Sequence, residues 1–192
     1  MRRKFGKLIN ELAKKDNKIV LLVGDIGYGI FDDFRRENPD RFFNLGICEQ
    51  SLIGAASGMA LEGLKPWVYT ITPFLIERPF EQIKLDIDQQ NVNVNLVGFA
   101  DYPELGPTHS ESDGEKLMSL FKNIKSFFPK DSQETEEYIY KCYKNSGPNF
   151  LSLKADKNIG KKWWKSMTNF LTSKEKKISN EFESNGFLIR DI

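Results

Sequence analysis

Apolar residues recur at helical spacing at Phe5, Leu8, Ile9 and Leu12, so residues 4–15 read as an amphipathic helix. The next apolar stretch, KIVLLVGD (18–25), is nearly continuous and ends at a glycine, the pattern of a strand buried on both faces. GIFDDFRREN reads as a helix stopping before Pro39, because the residue preceding a proline is pushed out of the helical region. RFFNLG is strand-like, residues 49–62 form a helix ended by Gly63, and KPWVYTI (65–71) is a further strand. Phe80, Ile83 and Ile87 predict one helix over 74–90. VNVNLVGFA (92–100) first alternates and then turns wholly apolar, as a strand entering a core does. A polar Gly/Pro loop (101–112) follows, then a helix (113–122), a strand (124–128), a helix (132–145) and a strand (149–153). Strands alternating with helices predict an α/β fold: three layers, with a mainly parallel central sheet flanked by helices.

The pattern fades toward the C-terminus. Residues 156–192 are lysine-rich, carry Trp163 and Trp164 side by side, and show nothing strand-like before GFLIRDI. They read as a docking arm or linker, or as the opening of another domain. Residues 1–155 read as one domain. The net charge of +1 offers no field for nucleic acid or an anionic membrane. The basic N-terminus lacks the long apolar run of a signal peptide, and no stretch is long and apolar enough to span a bilayer. Two distant cysteines, Cys48 and Cys142, have no metal-ligand spacing and fit a reducing, cytoplasmic setting.

Candidate chemistry gathers where strands end. GDIGYG (24–29) is not the dinucleotide fingerprint, but Asp25 stands at a strand's carboxyl end, where open parallel sheets bind ligands. Glu49 heads a helix of small residues, Gly54, Ala55, Ala56, Ser57, Gly58 and Ala60. An acid there is stabilised by the helix dipole. Its neighbours Leu45, Ile47, Leu52 and Ile53 are apolar, and such company raises a carboxyl pKa and suits proton sharing. His109, the only histidine, lies in the loop GPTHSES and suits polar contact or proton transfer, or a plain surface role. Cys48 reads as a space-filling residue rather than an activated thiol, since nothing local supplies a base. Phe74 and Phe80 read first as core aromatics and Arg78 as a helix-surface charge.

Taken together, FNLGICEQSLIGAASGMALEG, TPFLIERPFEQIKLDI, GPTHSE and GPNFLSLKAD resemble the pyrimidine-binding domain of transketolase-like thiamine diphosphate enzymes, from about residue 4 to residue 155. DIGYGIFDDF is similar to the split transketolase and deoxyxylulose-phosphate-synthase-like branch. The resemblance implies that Glu49 contacts a ring nitrogen of the cofactor's aminopyrimidine and promotes the imino tautomer that removes the thiazolium C2 proton. It implies that Ile47, Phe74 and Phe80 line the pyrimidine pocket, that Asp25 lies near the thiazolium side, and that His109 contacts substrate oxygens. A third aromatic place of some relatives falls near Glu77. It implies, too, that two such domains pair near the small-residue helix.

Two departures shape the expectation. Leu105 stands where typical transketolases carry an acid that reads a sugar hydroxyl, and an apolar side chain cannot hydrogen-bond one. The family binds magnesium and diphosphate through a G-D-G…N motif, whereas this sequence has SDGE (112–115) without the following asparagine. The expectation is a subunit of a split transketolase-like enzyme transferring a two-carbon ketol or acyl unit. It would share thiamine diphosphate with a diphosphate-binding subunit that holds Mg²⁺, as a homodimer within a heterotetramer. The alternatives are a 2-oxo acid dehydrogenase β-like or deoxyxylulose-phosphate-synthase-like subunit, and a non-catalytic dimerisation or assembly module.

Overall fold

The computed structural model describes residues 1–99, 102, 105–110 and 113–154. The stretch 156–192, with Trp163, Trp164 and GFLIRDI, lies outside the described residues, as does Ser112 of SDGE. Six strands build the sheet: β1 (Ile19–Val23), β2 (Phe42–Asn44), β3 (Lys65–Ile71), β4 (Asn95–Phe99), β5 (Lys125–Phe127) and β6 (Asn149–Leu153). Their order is β2-β1-β3-β4-β6-β5, and every pairing is parallel.

Helices cover both faces, which explains why β1, β4 and β6 are buried at every residue. Side-chain alternation divides the core into two. Leu21, Val23, Trp67, Tyr69 and Val97 face α1 (Arg2–Ala13), α2 (Asp32–Glu37) and, later in the chain, the helix Ser132–Lys144. Val20, Leu22, Val68 and Leu96 face the other way, toward α3 (Glu49–Leu61), α4 (Thr72–Ile76) and the segments after it. The helical stripe at Phe5, Leu8, Ile9 and Leu12 is buried against the first face as its spacing predicts.

The predicted helix over 74–90 is broken into three. α4 ends at Ile76, α5 (Phe80–Gln82) is a single turn, and Ile83–Asp88 winds as a π-helix. Pro79 is the cause of the first break, since it has no N–H for the preceding turn and its ring crowds that turn. The buried Asp88 carboxylate stands at the π-helix end and accepts from the backbone N–H groups of Lys122 (3.2 Å), Asn123 (2.7 Å) and Ile124 (3.3 Å). It thereby anchors the turn that enters β5. The helix expected over 113–122 is also shorter: α6 (Gly114–Met118) is capped by Asp113, whose carboxylate accepts from Lys116 N–H at 3.0 Å. The last helix, α7 (Ser132–Lys144), is capped by Asp131 through Gln133 and Glu134.

From β1 the chain passes to β2 on one side, then crosses to β3 on the other. Such a reversal opens a crevice at the carboxyl ends of the strands. The backbones are tightly fitted there. A Cβ on Gly98 of β4 would lie 2.6 Å from the Thr72 hydroxyl oxygen and 3.1 Å from Thr72 Cα. The buried Thr70 and Thr72 hydroxyls, at the end of β3 and the start of α4, have no hydrogen-bond partner among the described residues.

Candidate functional site

All the residues singled out for chemistry follow carboxyl ends of strands. Level registers, Val23 opposite both Asn44 and Tyr69, and Ile71 opposite Phe99, bring those ends to one edge of the sheet. Asp25 follows β1, Glu49 follows β2, Phe74 and Arg78 follow β3, and His109 follows β4.

Glu49 opens α3 directly after Cys48, and its side chain is 4% exposed. Burying a carboxylate without a partner is costly. The partner is Arg78, whose Nη1 donates to Glu49 Oε1 at 3.0 Å. Arg78 is held in turn by Gln50, whose side-chain amide donates to its carbonyl at 3.2 Å. The guanidinium carbon of Arg78 lies 3.5 Å from the centroid of the Phe74 ring, a cation–π contact. Phe74 meets the His109 ring edge-on, with centroids 4.8 Å apart and planes at 66°. His109 sits in the short helical turn Pro107–His109. Its N–H donates to Gly106 O at 3.0 Å, its carbonyl accepts from Tyr102 N–H at 2.9 Å, and Nδ1 is 3.1 Å from the Thr108 hydroxyl. Glu49, Arg78, Phe74 and His109 therefore form one continuous set drawn from three separate loops.

Two sequence expectations are corrected here. Arg78 is not a helix-surface charge: the break before Pro79 takes it off the helical periodicity and turns it onto Glu49 and Phe74. Glu49 is not left among apolar neighbours alone, for Ile47 is 71% exposed and the carboxylate has a cationic partner. The signal that marks Arg78 is the proline itself, which ends the helix just where a long cationic side chain follows Phe74 by four residues.

Asp25 belongs to a second group. It adopts the left-handed region at φ 51°, which aspartate tolerates better than most residues. Its N–H donates to Asn44 Oδ1 at 3.0 Å, and its Oδ1 accepts from Asn44 Nδ2 and Tyr28 OH, both at 3.2 Å. This ties the end of β1 to the end of β2 and leaves Asp25 exposed. Bonding to the Asp25 carboxylate pushes the Tyr28 phenol above its ordinary pKa. Phe80 is half-buried and packs on Phe121, with centroids 5.1 Å apart, at the edge of the second core. The Cys48 thiol donates to Leu45 O at 2.8 Å. Leu105 is 41% exposed on the His109 loop.

A buried carboxylate beside an aromatic face suits a flat, nitrogen-bearing ring, which can stack on the one and hydrogen-bond to the other. A metal is a different matter: among the described residues no group of three or more His, Cys, Asp or Glu is placed to hold one.

Known proteins share this fold and these residues' order. A transketolase family protein of Sinorhizobium fredii is 33% identical over 154 residues, covering 78% of this chain and 44% of that protein. A subunit of the apulose-4-phosphate transketolase of Actinobacillus succinogenes is 40% identical over 123 residues, covering 62% of this chain and 40% of that one. Among solved structures, a split gene transketolase described as an inactive β4 tetramer superposes with a TM-score of 0.72 at 31% identity, covering 80% of this chain and 50% of that one. The chain thus spans half or less of the length of these relatives. The sequence profile of the transketolase pyrimidine binding domain matches residues 1–158, and with the all-parallel sheet and the shared relatives it establishes that this chain belongs to that family.

Proposed function

We propose that this chain is the pyrimidine-side subunit of a split transketolase-like transferase. It supplies half of a thiamine diphosphate site for transfer of a two-carbon ketol or acyl unit. The observation that carries this reading is the buried Glu49 carboxylate beside Phe74, with His109 against the same ring, at the sheet's reversal point. The names of the relatives, one a transketolase subunit and another a split gene transketolase, support the division of the enzyme between chains.

When bound, thiamine diphosphate supplies a carbon nucleophile that cleaves and forms bonds next to a carbonyl. The residues of this chain bind, orient and place protons. Glu49 holds a pyrimidine ring nitrogen through a hydrogen bond and fixes where the ring's proton resides. Phe74 gives the ring an apolar face, with Ile47 and Phe80 at the periphery of the pocket. Asp25 borders the thiazolium side. His109, on the far side of Phe74 from the core, meets the oxygens of the substrate and hydrogen-bonds charge that develops there. The magnesium and diphosphate side belongs to a partner chain that carries a G-D-G…N motif. Two copies of this chain pair near α3, where Gly54 and Gly58 face open space and let another backbone approach, within a heterotetramer.

The test is Glu49→Gln in the assembled enzyme. The substitution keeps size and a hydrogen-bonding group but removes the acid. Exchange of the cofactor's C2 proton with deuterated solvent, followed by NMR, should slow by about 10²-fold or more while cofactor affinity changes little. Equal exchange rates in variant and parent would take Glu49 out of the chemistry.

A further inference from the structure

Arg78 makes two contacts, and they are the two contacts a pyrimidine ring needs. Its Nη1 donates to the buried Glu49 carboxylate at 3.0 Å, and its guanidinium carbon sits 3.5 Å from the Phe74 centroid. The chemical likeness is close. A guanidinium is planar, carries N–H donors on its rim and bears positive charge. An aminopyrimidine is planar too, contains the same N–C–N unit with an exocyclic amine, and offers a ring nitrogen to a carboxyl group. Neither the Glu49 oxygen nor the covered face of Phe74 can serve both at once.

We infer that Arg78 is a built-in placeholder for the pyrimidine: it occupies Glu49 and Phe74 until the ring arrives, and ring binding proceeds by its displacement. This deepens the proposed function and rests on it. The placeholder has a physical reason. A buried carboxylate with no partner destabilises the fold severely, so the ring-free protein needs a cation there. Arg78 can serve because its side chain is one-third exposed (34%), leaving room to swing into solvent. The proline that follows it frees the side chain from the next helical turn.

The test uses the full chain and thiamine, which carries the pyrimidine without the diphosphate, titrated by NMR. In the parent, the Arg78 side-chain N–H signal is shifted upfield by the Phe74 ring, and thiamine returns it toward its solvent position. Arg78→Ala removes the competitor and should tighten thiamine binding about tenfold, the scale of one charge-assisted hydrogen bond. Arg78→Lys keeps a cation for Glu49 but has no plane to lie on Phe74, and should gain a smaller factor, about threefold. If Arg78→Ala does not fold, Arg78→Lys alone decides. Weaker or unchanged binding in the folded variants overturns the inference, making Arg78 a ligand contact or a bystander. A parent that binds thiamine while its Arg78 signal stays shielded overturns it as well and leaves the proposed function standing. Absence of binding in parent and variants alike, even at millimolar thiamine, removes both.

Discussion

His109 and Leu105 share one short loop, and each carries a separable consequence. The His109 backbone is fixed on both sides, by Gly106 O and by Tyr102 N–H, so the imidazole is presented from a defined turn rather than a loose one. If it meets substrate oxygens, His109→Ala should lower kcat/KM by about 10²-fold with little change in cofactor affinity, as steady-state kinetics and calorimetry on the assembled enzyme can separate. Equal losses of both would make it a cofactor contact. Leu105 is 41% exposed and offers no hydrogen bond where typical relatives carry an acid. Activity on ordinary ketose phosphates should therefore be poor across a substrate panel. Robust turnover of xylulose 5-phosphate would contradict this. The identities of Glu49, Phe74 and His109 are readable from their order along the chain. Arg78 is not, because its role comes from a helix that stops short of it.

Elements are readable wherever burial alone governs them. The continuous run in β1 and the stripe in α1 have a single low-energy arrangement once the sheet is covered on both sides. The stretch 74–90 escapes such a reading because three of its apolar positions fit a 3.6-residue period that Pro79 cannot sustain, and the π-helix Ile83–Asp88 still buries Ile83 and Ile87. What holds that unusual winding in register is a side chain outside the apolar pattern, Asp88, with its three backbone donors from Lys122, Asn123 and Ile124. Asp88→Ala leaves those N–H groups without their acceptor. It should cost about 2–3 kcal/mol in urea unfolding at unchanged m-value, and Asp88→Asn less, since one amide oxygen still accepts. A loss below ~0.5 kcal/mol for Asp88→Ala would show that solvent satisfies the turn.

At the scale of the whole molecule, strand order cannot be read from the pattern, since alternation of strands and helices fits several parallel orders. The order β2-β1-β3-β4-β6-β5 is what gathers Asp25, Glu49, Phe74 and His109 at one edge, and so turns scattered residues into a site. That site is one-sided. It offers a carboxylate, an aromatic face and a histidine, while anchoring a diphosphate calls for a hard cation with oxygen ligands. Calorimetric titration of thiamine diphosphate with magnesium is the direct measurement, run on this chain alone and on the chain mixed with a partner that carries the G-D-G…N motif. A divided site requires weak binding and no turnover with the chain alone, and tight magnesium-dependent binding with turnover in the mixture. Tight magnesium-dependent binding and turnover by the chain with no partner present would contradict it.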